Sequence, residues 1–353
     1  MSPLRDGNHE EMRDLLDLYI NESSQIAEAR RLISAISRSL GFNETEIGKV
    51  ALIVTEMATN LVKHAGREGH LIIRSLEWGQ ANGIEILSLD KGPGIEKVTE
   101  ALHNGYSTRG SPGTGLGAIR RLSSVFDLYS LPNLGTAVLA SIWSGQLPEP
   151  PDNMNLKIGG ISLYKPGEEI CGDAWAVDQA KTRSLILVAD GLGHGTDAAE
   201  SANEAVKIFL KSRRLFPAEI ISAIHDGIKH TRGASVAVAE VDADHEVIRF
   251  AGVGNISGAI LSSLGTRHLV SHNGTVGKEI RKIQEFTYPW PVRSKDQSPL
   301  LIMHSDGLAT HWDFNQYPGL SHRHPSLIAG VLYRDFKRGN DDVTVVVAKP
   351  NVD

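Results

Sequence analysis

The chain contains a single cysteine, Cys171, so no disulfide can form within it, and a lone thiol fits a reducing, cytoplasmic compartment. No apolar run approaches the length of a membrane span. The opening residues, MSPLRDGNHEEMRD, lack the apolar core of a signal peptide, so neither membrane insertion nor export is expected. Basic excess is missing too: a formal net charge of −6 argues against a nucleic-acid partner. The 14 histidines are scattered without H-E-x-x-H or Cys/His spacing, which disfavours a zinc site. His322 and His324 in SHRHP read as solvated loop residues rather than a chelating pair. There is no G-x-x-x-x-G-K-S/T, so a P-loop is excluded.

What is present is ordinary globular material, 41% apolar and 22% charged over 353 residues, which is enough for about two cores. The cleanest seam is SGQLPEPPDNMN, whose prolines disfavour helix and strand alike, giving a linker over residues 144–156. Before it, over residues 12–143, the pattern gives a short strand (DLYI), a long helix and a second helix near 44–65. Strands at 71–77 and 83–90, a glycine-rich stretch, a helix and a last strand follow, which reads as a small α+β sandwich. Beyond the linker, over residues 157–349, strand patterns dominate, from NLKIGGISLY and SLILVAD to SPLLIMHSD and DVTVVVAK. Helical patterns at about 196–213 and 217–231 interrupt them, which predicts packed sheets with helices outside.

In NETEIGKVALIVTEMATNLVKHAG, Asn43 and Glu46 form a capping-box start, and Ile47, Val50, Ala51, Val54, Ala58 and Leu61 make a buried stripe. Glu56, Asn60 and Lys63 share the opposite face. A polar face of this kind is usually only solvated. An acid, an amide and a lysine can also serve a metal-bound triphosphate, with Asn60 on Mg²⁺, Lys63 on phosphate and Glu56 accepting a proton. Two later segments favour the second reading. GIEILSLD ends in Asp90, which suits an exocyclic amine, and Gly92 and Gly94 follow, letting a flat ligand approach the backbone. STRGSPGTGLGAIRRL then opens a helix with Gly113, Thr114, Gly115, Leu116 and Gly117, whose N–H groups suit phosphate oxygens.

The ordered set E-x-x-x-N, D-x-G-x-G and G-T-G-L-G resembles the GHKL ATPase superfamily. TEMATNLVKHAG, LDKGPGIEKV and GYSTRGSPGTGLGAIRRL are most similar to the small anti-sigma and RsbT-type serine kinases. That resemblance implies an ATP site of the Bergerat α/β-sandwich type. Asn60 would bind Mg²⁺, Asp90 would read adenine, Gly113 to Gly117 would close on the phosphates, and Glu56 would be the catalytic base. Domains of this type can pair, so a homodimer is an expectation.

The second half is marked by aspartates where apolar strands meet loops: Asp173 in CGDAWAV, Asp190 in VADGLGHG, Asp306 in MHSDGLA and Asp341–Asp342 in GNDDVTVVVA. A lone Asp-Gly is ordinarily just a turn. Several at strand ends can converge at one rim, where unpaired carboxylates are costly and a divalent cation removes the penalty. Hard oxygen donors without histidine or thiolate point to two Mg²⁺ or Mn²⁺ ions.

The set resembles the PPM-type metal-dependent phosphatases of the SpoIIE branch, nearer RsbX than RsbU, with a β-sandwich flanked by helices (αββα). That resemblance implies Asp173, Asp190, the Gly191 carbonyl, Asp306 and either Asp341 or Asp342 as metal ligands. No arginine placed to clamp phosphate precedes Asp173, and His194 and Asn255 read as loop residues. Together the two resemblances imply a bifunctional partner-switching regulator. A serine kinase-like ATPase would be fused to a phosphoserine/phosphothreonine phosphatase, both acting on a STAS-domain phosphoprotein and so controlling a sigma factor or another regulator. The alternative keeps the phosphatase and makes the ATP-binding half a non-catalytic sensing or partner-binding module.

Overall fold

Asn43 starts the longest helix as its sequence suggests: its side chain accepts from Glu46 N at 3.0 Å while Glu46 Oε2 accepts from Asn43 N at 2.9 Å. The computed structural model describes residues 8–10, 13–66, 69–79, 81–102, 115–145, 154–263, 265–290 and 299–351. The elements in chain order begin with β1 (Asn8–Glu10), β2 (Arg13–Tyr19), α1 (Ser23–Ser39), α2 (Glu44–His64), β3 (His70–Trp78) and β4 (Ala81–Leu89). Next come α3 (Val98–Ala101), α4 (Gly115–Leu122), β5 (Val125–Leu131), β6 (Gly135–Trp143), β7 (Leu156–Leu163), β8 (Asp173–Gln179) and β9 (Arg183–Gly191). α5 (Thr196–Lys211), α6 (Pro217–Gly227), β10 (Ala234–Asp242), β11 (Val247–Val253), β12 (Ser257–Ser262) and β13 (Gly265–Leu269) follow. The last are β14 (Glu285–Pro289), β15 (Leu300–His304), α7 (Pro325–Phe336) and β16 (Val343–Pro350). Among the described residues no helix is long and apolar enough to cross a membrane.

The chain forms two compact units that are not contiguous in sequence. One comprises residues 12–149 and 315–334; the other comprises residues 1–11, 150–314 and 335–353. The linear expectation of one domain on each side of residues 144–156 therefore omits two exchanges. β1 pairs with β8, and the first ten residues of α7 join the N-terminal unit. Of the linker itself, residues 146–153 lie outside the described residues.

In the first unit a five-stranded antiparallel sheet, ordered β2-β3-β4-β6-β5, alternates its side chains between two buried faces. Leu71, Ile73, Ile84, Ile86 and Leu128 face one core with Val50, Val54, Met57 and Leu61 of α2. The intervening residues meet the returning segment. Gly330 sits against Leu87 and Leu89, and Ser326 Oγ accepts from Arg74 at 2.9 Å and donates to Glu85 at 3.1 Å. Arg74 and Glu85 form a buried ion pair, and Asp127 accepts from His324 N at 2.6 Å. Because the first ten residues of α7 are buried, Ser326 and Arg334 included, PSLIAGVLYRDF lacks the exposed polar stripe that marks a surface helix.

The second unit stacks a six-stranded sheet, ordered β1-β8-β9-β10-β11-β14, and a five-stranded sheet, ordered β13-β12-β15-β16-β7. Helices α5 and α6 cover the six-stranded sheet, burying Ala202, Phe209, Ile220 and Ile224 against Leu185, Leu187, Val236 and Val238. NLKIGGISLY, SLILVAD, SPLLIMHSD and DVTVVVAK carry β7, β9, β15 and β16, and α5 and α6 fall at the two expected places.

Candidate functional sites

In the first unit the polar face of α2 carries Glu56 and Asn60, both half-buried, with exposed Lys63 nearly one turn further on. α4 begins at Gly115 directly over them. A Cβ on Gly115 would lie 2.9 Å from Glu56 Oε2 and 3.8 Å from Asn60 Oδ1, so this helix start stands close to the acid and the amide. Leu116 and Gly117 continue α4, with Gly117 buried; Gly113 and Thr114 lie outside the described residues.

Asp90 follows β4 and is buried. Its Oδ1 accepts from Gly92 N at 2.8 Å and Thr136 N at 3.2 Å. Burial pushes its carboxyl up, and the two backbone N–H groups and Arg334 pull it back. Both bonds fall on Oδ1, so Oδ2 is the oxygen left to accept from a ligand. Gly92 packs against the carbonyl of His64 and Gly94 against that of Leu131 at φ +73°, approaches a side chain would block. Sequence reasoning missed two supports of Asp90. Thr136 stands on β6, signalled only by Gly135-Thr136 after a turn, and Arg334 donates to the Asp90 carbonyl at 3.0 Å from 244 residues away. No local pattern could have announced the second.

The other site lies where strand ends of both sheets meet. β8 begins at Asp173, which faces Asp190 directly across the antiparallel pair; Asp190 in turn faces Ser235 of β10. From the other sheet, Ser305 Oγ donates to Asp173 Oδ2 at 2.6 Å and accepts from Thr344 N at 2.9 Å. Asn255 Nδ2 donates to Asp306 Oδ2 at 2.7 Å. Burial and then Asp306 push Asp190 up to about 7. Burial and then Asp190 push Asp173 up as well, each charge opposing its neighbour.

Asp341 and Asp342 separate in role. Asp342 is buried, with Oδ1 accepting from Lys165 N at 2.7 Å and Oδ2 from Gly172 N at 2.9 Å. It pins the approach to Asp173. Asp341, half-buried, accepts from Asp342 N at 3.0 Å and keeps its second oxygen out of that bond. Gly191 lies against the backbone of Ala198, so only glycine lets β9 pass this close to α5. His194 pairs with Glu168 at 2.6 Å. Ser305 and Asn255 are the supports the motifs did not single out as such; Ser305 is simply the residue before Asp306.

The donor set suits a hard divalent cation, being all carboxylate oxygen with mutual repulsion for the cation to relieve. The spacing is looser: among the described residues no three His, Cys, Asp or Glu side chains gather closely enough to hold one ion. The structure thus carries the carboxylates on one rim without a closed cage.

Comparison with known proteins matches these two regions separately. Residues 21–142 match the histidine kinase-like ATPase domain and residues 180–351 match stage II sporulation protein E (SpoIIE). The serine/threonine-protein kinase RsbT of Bacillus subtilis (strain 168) is 30% identical over 132 residues, which is 37% of this chain and 98% of RsbT. The phosphoserine phosphatase RsbX of the same strain is 26% identical over 159 residues, 44% of this chain and 77% of RsbX. A solved structure described as the bacterial stressosome, a modular system adapted to control secondary messenger signalling, has a TM-score of 0.50 at 27% identity. It covers 55% of this chain and 98% of its own.

Proposed function

The chain belongs to the histidine kinase-like ATPase family through its N-terminal half and to the SpoIIE phosphatase family through its C-terminal half, and on that premise we propose that it sets the phosphorylation of one partner protein in both directions. The partner is a STAS-domain protein carrying a phosphorylatable serine or threonine. By name, RsbT is a serine/threonine-protein kinase and RsbX a phosphoserine phosphatase, which supports the two opposed activities.

The observation that carries the phosphatase half is the facing pair Asp173–Asp190, joined at its rim by Asp306 and the Asp341–Asp342 turn from the second sheet. Asp173, Asp190, Asp306, Asp341 and the Gly191 carbonyl are the donors for Mn²⁺ or Mg²⁺. Asp342, with both oxygens on backbone N–H groups, holds the loop instead. Bound there, such ions supply positive charge for a phosphate and lower the pKa of a water. Ser305 and Asn255 hold the rotamers of Asp173 and Asp306, and the carboxylates draw together around an ion from there.

In the kinase half, Asp90 Oδ2 accepts from the adenine amine, Asn60 holds Mg²⁺ with the triphosphate, and Lys63 offsets its charge. Glu56 takes the proton of the partner's hydroxyl as that oxygen attacks the γ-phosphorus, the bond to the β,γ-bridging oxygen breaks and ADP leaves. The closeness of Gly115 to both Glu56 and Asn60 supports this arrangement. The test is a single preparation given a STAS-domain partner. Label from γ-labelled ATP should pass to the partner and be lost in Asn60→Ala, and Mn²⁺ should release phosphate from the phospho-partner. Nucleotide-dependent phosphatase rates without label transfer would support the sensing alternative.

A further inference from the structure

The segment leading to Asp173, YKPGEEICG, offers Lys165 and no arginine to receive a substrate phosphate. A cation reaches the same rim from another strand. Arg232 lies two residues before β10, whose first residues Ala234 and Ser235 face Gly191 and Asp190. The turn is held tightly: Leu192 N donates to Gly233 O at 2.9 Å and Gly233 N to Thr231 Oγ1 at 3.1 Å. From there Arg232 Nη1 comes within 3.1 Å of where a Cβ on Gly193 would stand, over the loop that follows Asp190. Its side chain is 52% exposed, and among the described residues its ion pair is Nη2 to Asp197 Oδ2 at 2.5 Å, with Asp197 57% exposed. A pair so open to water holds weakly and exchanges readily for a better anion.

We infer that Arg232 is a substrate-positioning residue of the phosphatase site, receiving the phosphate-monoester dianion of the phosphoprotein through its guanidinium. This inference rests on the phosphatase reading of the rim. A phosphate dianion is a stronger partner than an exposed carboxylate, and the planar fork can hold two of its oxygens at once. The strand-end carboxylates serve the ions of the proposed site, so Arg232, whose Nη1 stands over the loop after Asp190, is the side chain placed to orient the phosphate there.

The experiment uses the full chain with Mn²⁺, a phosphoserine peptide as substrate and orthophosphate as competing product. Arg232→Ala should raise KM for the peptide and Ki for orthophosphate together, each by about tenfold or more, with kcat changed by less than about threefold. Arg232→Lys, keeping the charge without the fork, should fall between. Asp197→Ala should leave KM unchanged or lower it, because it frees the guanidinium. Unchanged KM and Ki in Arg232→Ala would overturn the inference. So would equal losses of activity and melting temperature in Arg232→Ala and Asp197→Ala, which would mark a purely structural pair. If the wild-type chain hydrolyses nothing, the phosphatase reading fails instead, and calorimetric binding of orthophosphate to wild type and Arg232→Ala still decides the role of Arg232.

Discussion

The two sites handle a buried aspartate in opposite ways. Asp90 is buried but answered: two backbone N–H groups bond its Oδ1 and Arg334 stands near, so its carboxyl rises only against that resistance. Asp173 and Asp190 are buried against each other and against Asp306, and every nearby carboxylate pushes them the same way. A site that reads a neutral amine needs a carboxylate held charged and still by the protein's own donors. A site whose carboxylates oppose one another is made for an external cation. The contrast extends to construction. The candidate site of the first unit hangs on one helix face and the helix start above it, whereas the carboxylate rim of the second gathers strand ends from two sheets.

The largest break in that contrast should come from Asp190→Ala. Loss of a ligand should lower Mn²⁺-dependent hydrolysis of an aryl phosphate by about a thousandfold, since changes one step behind a metal already cost about 10- to 100-fold. ATP affinity, measured by calorimetry, should stay the same. Glu56→Gln is the mirror experiment: label transfer to the partner should fall about 100-fold or more while ATP binding stays within about threefold of wild type.

The pH dependence sharpens the electrostatic half of the comparison. An ordinary aspartate titrates near about 3.9, and Asp190 is raised to about 7, so between these values the folded state holds a proton that the unfolded chain has released. The metal-free protein should therefore lose stability as the pH rises from about 4 to about 7, with Asp173 adding in the same direction. Mn²⁺ should raise the melting temperature much more at pH 8 than at pH 5, where protons compete for the same oxygens. A thermal shift equal at both values would mean the ion binds elsewhere. The smallest effect is expected from Arg334→Met, which removes the donor on the Asp90 carbonyl and should weaken ATP binding by about three- to tenfold.

Much of this was readable from residue patterns. The Asn43–Glu46 capping box, the buried stripe of α2 and its polar face depend on spacing within about twenty residues, and helix geometry converts such spacing directly into position. Asp190 and Asp306 were visible because an apolar run broken by Asp-Gly marks where a strand leaves the sheet, and Asp173 and Asp341–Asp342 because they stand just where an apolar strand begins. Two things were hidden. PSLIAGVLYRDF buries its first ten residues, Ser326 and Arg334 among them, so no exposed polar stripe announces the helix. Ser305 and Arg334 gain meaning only from partners 132 and 244 residues away.

By itself, then, the sequence determined most element types and the two family resemblances, because propensity, capping and side-chain period are local properties of the chain. Only the tertiary structure decided that residues 315–334 return to cover the second face of the N-terminal sheet. It also separated Asp342, spent on the N–H groups of Lys165 and Gly172, from its neighbour Asp341. Adjacent aspartates are equivalent in sequence. Long-range hydrogen bonds make them different, and those form only once both sheets are packed.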